Sequence, residues 1–227
     1  MLTIRSRCWL CRQPLCLAQH GICSYCLRRL PAPPTCCPCC GLPAGDSRYP
    51  CGRCLQKMPP WRRLVFVTDY VSPLSQLVKR LKFQRRPELA LLLARLLLLR
   101  WLQLRREQYL NRPELILTVP LQKMRRWRRG YNQSELLAAP LARWLGCEYR
   151  PRALRRIRAT AAQQRLTARQ RRRNLRGAFR CDEDLAGRHV ALLDDVVTTG
   201  STAAEIAALL QAQGVASLQI WCICRTL

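Results

Sequence analysis

The sequence predicts an α/β protein in which a parallel-sheet domain follows a small N-terminal module held together by metal. Three observations support this prediction. Apolar β-rich runs alternate with helical patterns in the later three quarters of the chain. Eleven of the fifteen cysteines lie between Cys8 and Cys54, so the first quarter has a different composition. A strand-like run near the C-terminus ends in two adjacent aspartates. We expect the module at residues 1–58 and the α/β domain at 60–227.

The first half of the α/β domain follows a connector, Pro59-Pro60, which is stiff because successive prolines disfavour helix and lack backbone donors. A β-rich run at residues 65–67 predicts a strand, and the leucine periodicity of residues 74–104 predicts helix. Residues 115–119 form a short apolar run typical of a buried strand. A helix is expected at residues 132–145, and it should end there because Gly146 follows.

The last strand–helix–strand unit has the clearest pattern. Residues 190–196 and 218–224 are mostly apolar segments of strand length, and residues 202–213 form a helical pattern closed by Gly214. Strands that alternate with helices predict a parallel sheet.

The leucine-rich stretch at residues 89–104 is the candidate for a membrane span. Arg95 and Arg100 interrupt it, whereas a span needs about 20 predominantly apolar residues. We expect a buried helix and no membrane span. Residues 1–11 lack the apolar core of a signal peptide, so the expected location is cytoplasmic.

The cysteines of the N-terminal module form four C-x-x-C pairs. Such a turn brings two thiolates to one tetrahedral metal, and a second pair about 10–20 residues later closes the site. The spacing therefore predicts a double zinc ribbon with two structural zinc ions. The expected ligands are Cys8, Cys11, Cys23 and Cys26 for one ion, and Cys37, Cys40, Cys51 and Cys54 for the other.

Several alternatives remain open for this module. Cys36 and Cys39 form an overlapping pair, and Cys37 and Cys40 are preferred for their spacing to neighbouring pairs. Cys16 is expected to be a spare. Interleaved pairing of the cysteines is compatible with the sequence. A closed four-thiolate site has no position for a substrate, which favours a structural role. The alternatives are redox chemistry at a pair, or ribbon loops that contact nucleic acid or a partner protein.

A ligand site is predicted where the apolar run at residues 190–193 ends in Asp194 and Asp195, since open α/β sheets bind ligands at the carboxyl ends of strands. The aspartates can accept hydrogen bonds from a ribose diol. The loop that follows has backbone N–H groups, hydroxyls and a helix N-terminus that suit a phosphate, and its glycine allows close approach. The expected phosphate-binding residues are Thr198, Thr199, Gly200, Ser201 and Thr202. The alternative is two capping acids on an ordinary loop. Other phosphate-loop motifs, G-x-x-x-x-G-K-[ST] and G-x-G-x-x-G, are absent from the sequence.

Residues 190–202 resemble the phosphoribosyl-pyrophosphate (PRPP) motif of type I phosphoribosyltransferases. Together with the double zinc ribbon, they resemble the ComF/GntX family of DNA-uptake and DNA-utilisation proteins. The resemblance extends over nearly the whole chain. Further family-like stretches are Leu81-Lys82-Phe83, Val119-Pro120-Leu121, residues 128–134, residues 164–174 and residues 221–225.

The resemblance implies a type I phosphoribosyltransferase-like fold for residues 60–227. It implies that Asp194 and Asp195 bind the ribose hydroxyls and are the catalytic residues if transfer occurs, with the 5′-phosphate in the loop that follows. The loop after Val119-Pro120 would bind pyrophosphate, with magnesium carried by PRPP. Residues 158–174 would form a flap. The resemblance specifies no acceptor substrate.

The middle of the chain is strongly basic, with eighteen lysines and arginines against two acids between residues 121 and 180. Aromatic rings beside arginines can stack on unpaired bases. The predicted nucleic-acid-binding residues are Arg125, Arg126, Trp127, Arg128, Arg129 and Tyr131. The alternative is a solvated face with a few pyrophosphate ligands. The formal net charge of +27, roughly +23 with two zinc–thiolate sites, favours polyanions or phosphorylated small molecules.

Two functions are compatible with these patterns. The first is a PRPP-binding phosphoribosyltransferase-like protein of DNA uptake or utilisation. The second is a non-catalytic adaptor for single-stranded nucleic acid whose pocket senses a nucleotide or 5′-phosphate. Expected partners are PRPP or a nucleotide 5′-phosphate, single-stranded DNA, and DNA-uptake or helicase proteins. The sequence specifies neither catalysis nor the oligomeric state.

Overall fold

The computed structural model describes residues 6–33, 35–158 and 174–226, and it describes only the backbone of Gln19, Lys123, Arg125 and Arg126. A parallel sheet has the strand order β1-β8-β6-β2-β3, with β7 paired to β8. β4 and β5 form a separate antiparallel pair. The strands are β1 (Arg63–Asp69), β2 (Leu115–Thr118), β3 (Glu148–Tyr149), β4 (Leu154–Arg156), β5 (Phe179–Cys181), β6 (His189–Leu193), β7 (Val196–Val197) and β8 (Ser217–Arg225).

Local sequence signals account for several helix boundaries. The side chain of Asn132 caps α6 by accepting a hydrogen bond from the Ser134 amide, and Gly146 ends that helix in the left-handed conformation. The helices are α1 (Ser24–Arg28), α2 (Gly52–Gln56), α3 (Leu74–Phe83), α4 (Leu89–Gln108), α5 (Lys123–Arg129), α6 (Gln133–Leu145) and α7 (Ser201–Ala212).

Two hydrophobic cores lie on opposite faces of the sheet, because side chains alternate between the faces along each strand. Val65 and Trp221 belong to the core formed with α3, α4 and α6. Phe66 and Cys222, the next residue along each strand, belong to the core formed with α7 and β5. The sheet is therefore buried on both sides, and the predicted α/β class with a parallel sheet is confirmed.

The N-terminal module packs directly on this domain. Ile22 and Cys26 belong to the same core as α3 and α4. The Leu64 amide donates to the Pro38 carbonyl at 2.8 Å, and the Trp61 indole donates to the Cys39 carbonyl at 2.7 Å. The sequence predicts a module held together by metal, and the structure adds apolar contacts and hydrogen bonds with the sheet domain.

Two predicted elements differ from the structure in detail. The strand expected at residues 190–196 is split into β6 and β7, with Asp194 and Asp195 between them. The leucine periodicity of residues 74–104 corresponds to two helices, α3 and α4. The second is largely buried, as expected. None of the helices in the described part of the chain has the length and apolar character that a membrane span requires.

Candidate functional site

Eight cysteines of the module form two clusters in which all four sulfur atoms lie within 4.8 Å of one another. The first cluster contains Cys8, Cys11, Cys23 and Cys26, and the second contains Cys37, Cys40, Cys51 and Cys54. In each cluster one sulfur pair is 3.7 Å apart. A tetrahedral zinc ion with Zn–S bonds of about 2.3 Å separates its sulfurs by about 3.8 Å. The clusters therefore fit two closed four-thiolate zinc sites, and the serial pairing matches the spacing argument.

Backbone amides stabilise the thiolate form at these clusters. The Cys23 amide donates to the Cys8 sulfur and the Cys51 amide to the Cys37 sulfur. Burial raises the pKa of both acceptor thiols, but several backbone donors outweigh it and lower the pKa of Cys8 to about 6 and that of Cys37 to about 7. Cys39 is buried with its sulfur near the Arg62 carbonyl, outside the cluster. Cys8 and Cys37 therefore ionise readily, as zinc ligands must, whereas burial and the neighbouring thiols raise the pKa of Cys26 to about 12 and also raise that of Cys54.

A cleft of about 410 Å³ lies at the carboxyl ends of the parallel strands. It includes residues that directly follow five strands: Tyr70 after β1, Val119 after β2, Asp194 after β6, Thr198 after β7 and Thr226 after β8. We call it the strand-end cleft. All the predicted diol- and phosphate-binding residues line it, namely Asp194, Asp195, Thr198, Thr199, Gly200, Ser201 and Thr202.

The two aspartates of the cleft differ in their surroundings. Asp195 is buried and pairs with Lys82, whose Nζ lies 2.8 Å from Oδ1. Asp194 accepts the Asp195 amide at 2.8 Å. Burial, and then the charge of Asp195, raise the pKa of Asp194 to about 7, although Lys82 opposes the shift. Two adjacent carboxyl groups in different charge environments are thus available to ligand hydroxyls.

The loop from Thr198 to Thr202 turns into α7 at Gly200. Gly200 has a φ of 71° and is the N-cap of α7, so the loop enters the helix through a left-handed residue. The Thr199 and Ser201 hydroxyls lie 2.9 Å apart. The amides of the first helical turn lack intrahelical acceptors and suit an anion.

The expected pyrophosphate loop also borders the cleft, through Val119, Pro120, Leu121 and Gln122. Arg129 lines the same cleft, and its guanidinium lies 5.1 Å from the ring centre of Phe83. The expected flap falls mainly on residues 159–173, which lie outside the described residues. Arg158 and Asn174 flank this segment, and the Arg158 guanidinium donates to the Asn174 carbonyl at 3.1 Å.

The predicted nucleic-acid-binding residues take different positions around α5. The Trp127 side chain is 82% exposed, and Arg128 is also exposed. Tyr131 instead packs against the core, and its hydroxyl donates to the Leu81 carbonyl at 2.5 Å. Arg125 and Arg126 belong to the same helix. The exposed ring available for stacking on this helix is therefore that of Trp127.

Part of the basic middle is neutralised by acids that follow it in sequence. Arg150 pairs with Glu148 and Glu183, and Arg155 and Arg180 both pair with Asp182. Asp182 and Glu183 lie just beyond residue 180, outside the range over which the two acids were counted. The unneutralised positive surface is therefore smaller than the sequence indicated.

Several residues in or beside the cleft have no role assigned from the sequence. Lys82 and Phe83 were quoted only as part of a family-like stretch, yet both line the cleft. Arg225 is buried and donates through Nη1 to the Thr198 carbonyl at 2.9 Å and through Nε to the Cys40 carbonyl at 2.6 Å. The signal available for Arg225 was a basic residue that directly follows the apolar run at residues 220–224.

Comparisons with known proteins give full-length relatives, although no protein-family model matches the chain. The chain is 57% identical over 227 residues to DNA utilization protein YhgH of Escherichia coli O157:H7, and 56% identical to the Salmonella typhi protein of that name, with full coverage of each. It is 40% identical over 222 residues to competence protein F of Haemophilus influenzae, covering 96% of each chain. A solved structure titled as the allosteric regulatory enzyme of purine biosynthesis is similar at 17% identity and a TM-score of 0.34, over 52% of this chain and 23% of that one.

Proposed function

Because the chain belongs to the family that contains DNA utilization protein YhgH and competence protein F, we propose that it is a PRPP-binding, phosphoribosyltransferase-like protein acting in the uptake or use of DNA. The observation that supports PRPP is the meeting of two acids and a hydroxyl-rich loop in one cleft. A diol acceptor and a phosphate site at adjacent strand ends match the two ends of a ribose 5-phosphate.

The ligand's position follows from the chemistry of the cleft walls. The 5′-phosphate occupies the loop at residues 198–202, where amides and hydroxyls donate to it. The ribose hydroxyls donate to Asp194 and Asp195. The pyrophosphate extends toward residues 119–122 and Arg129, the cationic side of the cleft. Magnesium fits this arrangement because it binds one or two carboxylates together with ligand phosphates, and it would neutralise pyrophosphate charge.

If transfer occurs, the protein's role is to hold the sugar rather than to attack it. No cysteine or histidine is among the described residues that line the cleft, so no thiol or imidazole nucleophile is at hand there. The aspartates fix the diol and place negative charge near a sugar ring that becomes positive as pyrophosphate departs.

A titration with PRPP and magnesium tests the proposal. We expect saturable binding that Asp195→Asn weakens at least tenfold, whereas Asp184→Asn, at an exposed acid that does not line the cleft, leaves it unchanged. The same samples are then incubated with PRPP and a panel of bases. Pyrophosphate release that is lost in Asp195→Asn assigns transfer to this site. The absence of PRPP binding by the wild-type protein would contradict the proposal.

A second function, a non-catalytic adaptor for single-stranded nucleic acid, is favoured by one observation. Trp127 is 82% exposed on a basic helix whose last residue, Arg129, lines the cleft. An exposed indole among arginines can stack on a base at a contribution of about 1–3 kcal/mol. Under this function PRPP or a 5′-phosphate is bound without release of pyrophosphate.

Oligonucleotide binding at several salt concentrations tests the adaptor function. Arg128→Glu should flatten the dependence of log affinity on log salt, and Trp127→Ala should weaken binding at every salt concentration. Arg106→Glu, on an exposed position of α4, is the matched charge control. Equal slopes for Arg128→Glu and Arg106→Glu would contradict nucleic-acid binding at α5.

A further inference from the structure

A second cleft, of about 360 Å³, lies between the first zinc ribbon and the end of α3. We call it the ribbon cleft. Its lining residues are Trp9, Arg12, Arg80, Gln84 and Arg86. Three of these five side chains are guanidinium groups, and none is acidic. The nearest described ion pair is Arg86 with Glu88, at 3.9 Å and exposed to solvent. The cleft is therefore a concentrated positive surface beside an indole ring.

The first cysteine cluster fixes the ribbon side of this cleft. Trp9 lies between the ligands Cys8 and Cys11, and Arg12 follows directly. The Arg12 amide donates to the Cys8 carbonyl at 3.0 Å, and Arg12 has a φ of 65°. The turn that gathers two zinc ligands thus also positions an arginine and an indole.

The two clefts share one stretch of chain, residues 80–86. Lys82 and Phe83 line the strand-end cleft, whereas Arg80, Gln84 and Arg86 line the ribbon cleft. An extended anionic chain bound at the ribbon cleft would therefore follow this stretch toward the acids of the strand-end cleft. A small anion would use one cleft alone, whereas a polymer with regularly spaced phosphates can use both.

We propose that the ribbon cleft binds the sugar–phosphate backbone of single-stranded nucleic acid. Its phosphates contact Arg12, Arg80 and Arg86, and one base stacks on Trp9. The strand then continues over residues 80–86 toward the strand-end cleft. This gives the first zinc ribbon a binding role in addition to its structural one, and it does not depend on whether the strand-end cleft binds PRPP.

The test uses the full-length zinc-loaded protein and a fluorescent oligothymidylate with a 5′-phosphate. Each phosphate contact to a single strand contributes a slope of about 0.7 to the salt dependence of log affinity. The combined variant Arg12→Ala, Arg80→Ala, Arg86→Ala should lower that slope by about 2 and weaken binding more than tenfold at low salt. The control, Arg53→Ala, Arg106→Ala, Arg143→Ala, removes three exposed arginines from other surfaces.

Trp9 gives a second readout that electrostatics alone would not change. Trp9 also packs against the core, so Trp9→Leu, which keeps an apolar side chain, replaces a truncation to alanine. We expect it to weaken oligonucleotide binding at least about fivefold at every salt concentration, with zinc content unchanged.

Equal slopes for the two triple variants would overturn the proposal. So would full competition by a polyglutamate peptide of equal charge, because the cleft would then accept an acidic protein rather than a nucleic acid. PRPP affinity is measured in parallel, and it should be the same in both triple variants. If the wild-type protein does not bind PRPP, the proposed function is contradicted, but the ribbon-cleft result is unaffected.

Discussion

At the scale of single residues, the pair Lys82–Asp195 is the closest described ion pair in the strand-end cleft. Their side chains are 15% and 12% exposed. Removing one partner of a buried pair leaves a charge with little solvation. We expect Lys82→Ala to lower the free energy of unfolding by about 3 kcal/mol in urea denaturation. Adding Asp195→Asn to Lys82→Ala should recover most of the loss, since no unpaired charge remains.

Lys79→Ala is the matched control for this prediction, because Lys79 is exposed on the same helix. Its effect should stay within about 0.5 kcal/mol. If Lys82→Ala unfolds at the same urea concentration as Lys79→Ala, the pair contributes nothing to stability.

Asp194 gives a prediction about pH. Burial and the charge of Asp195 raise the pKa of this carboxyl to about 7 in the folded protein, against about 3.9 when unfolded. The native state therefore binds the proton more tightly, and this contribution to stability falls as pH rises from about 4 to 7. Asp194→Asn removes the ionised form. The difference between the Tm of Asp194→Asn and the Tm of the wild type should be several degrees more positive at pH 8 than at pH 5. An equal difference at both pH values would contradict the raised pKa.

At the scale of elements, the sequence was informative where an element depends on a local pattern. Continuous apolar runs predicted β1, β2, β6 and β8, and the glycine after residue 145 predicted the end of α6. Elements that depend on distant partners were not predictable. β3 has two residues and exists through its pairing with β2. Likewise, the Gln219 side chain accepts hydrogen bonds from the indole groups of Trp101 and Trp221. Only the fold brings Trp101, on α4, to this strand.

The choice between overlapping cysteine pairs is an element-scale prediction that zinc analysis can test. Cys37 belongs to the second cluster, whereas Cys36 is packed in the core with α7. We expect Cys37→Ser to reduce bound zinc from about two ions per chain to about one, because three thiolates no longer close the site. Cys36→Ser should retain two ions. Plasma emission spectrometry of the purified proteins measures both, and zinc loss in Cys36→Ser instead would assign the ligands to the other pair.

At the scale of the whole molecule, the two ribbons contact different parts of the sheet domain. The first ribbon shares the core of α3 and α4, and it borders the ribbon cleft. The second ribbon approaches the edge formed by β1 and β8. At Gly41, with a φ of 72°, an added Cβ would lie 2.9 Å from Leu64 and 3.1 Å from Arg225. This close approach places the second ribbon directly against the sheet domain.

Because the two ribbons contact different parts of the sheet domain, opening one cysteine cluster should affect a different ligand from opening the other. Arg225 joins the Cys40 carbonyl of the second cluster to the Thr198 carbonyl of the loop at residues 198–202. Opening the second cluster by Cys51→Ser should therefore release Arg225 and weaken PRPP binding about tenfold, the loss expected for one charged hydrogen bond. Opening the first cluster by Cys11→Ser should leave PRPP binding within twofold and weaken oligonucleotide binding, because Trp9 and Arg12 lose their fixed turn.

Calorimetric titration with PRPP and fluorescence titration with the oligonucleotide measure the two affinities on the same zinc-analysed samples. Each variant should retain about one zinc ion, which shows that the other ribbon is intact. Arg225→Met distinguishes loss of the Arg225 hydrogen bonds from loss of metal, because it keeps the buried aliphatic volume and both zinc ions. It should reproduce the PRPP defect of Cys51→Ser. If both cysteine variants lower the affinities for PRPP and for the oligonucleotide equally, the ribbons act only through global stability. The assignment of one metal site to each cleft is then wrong.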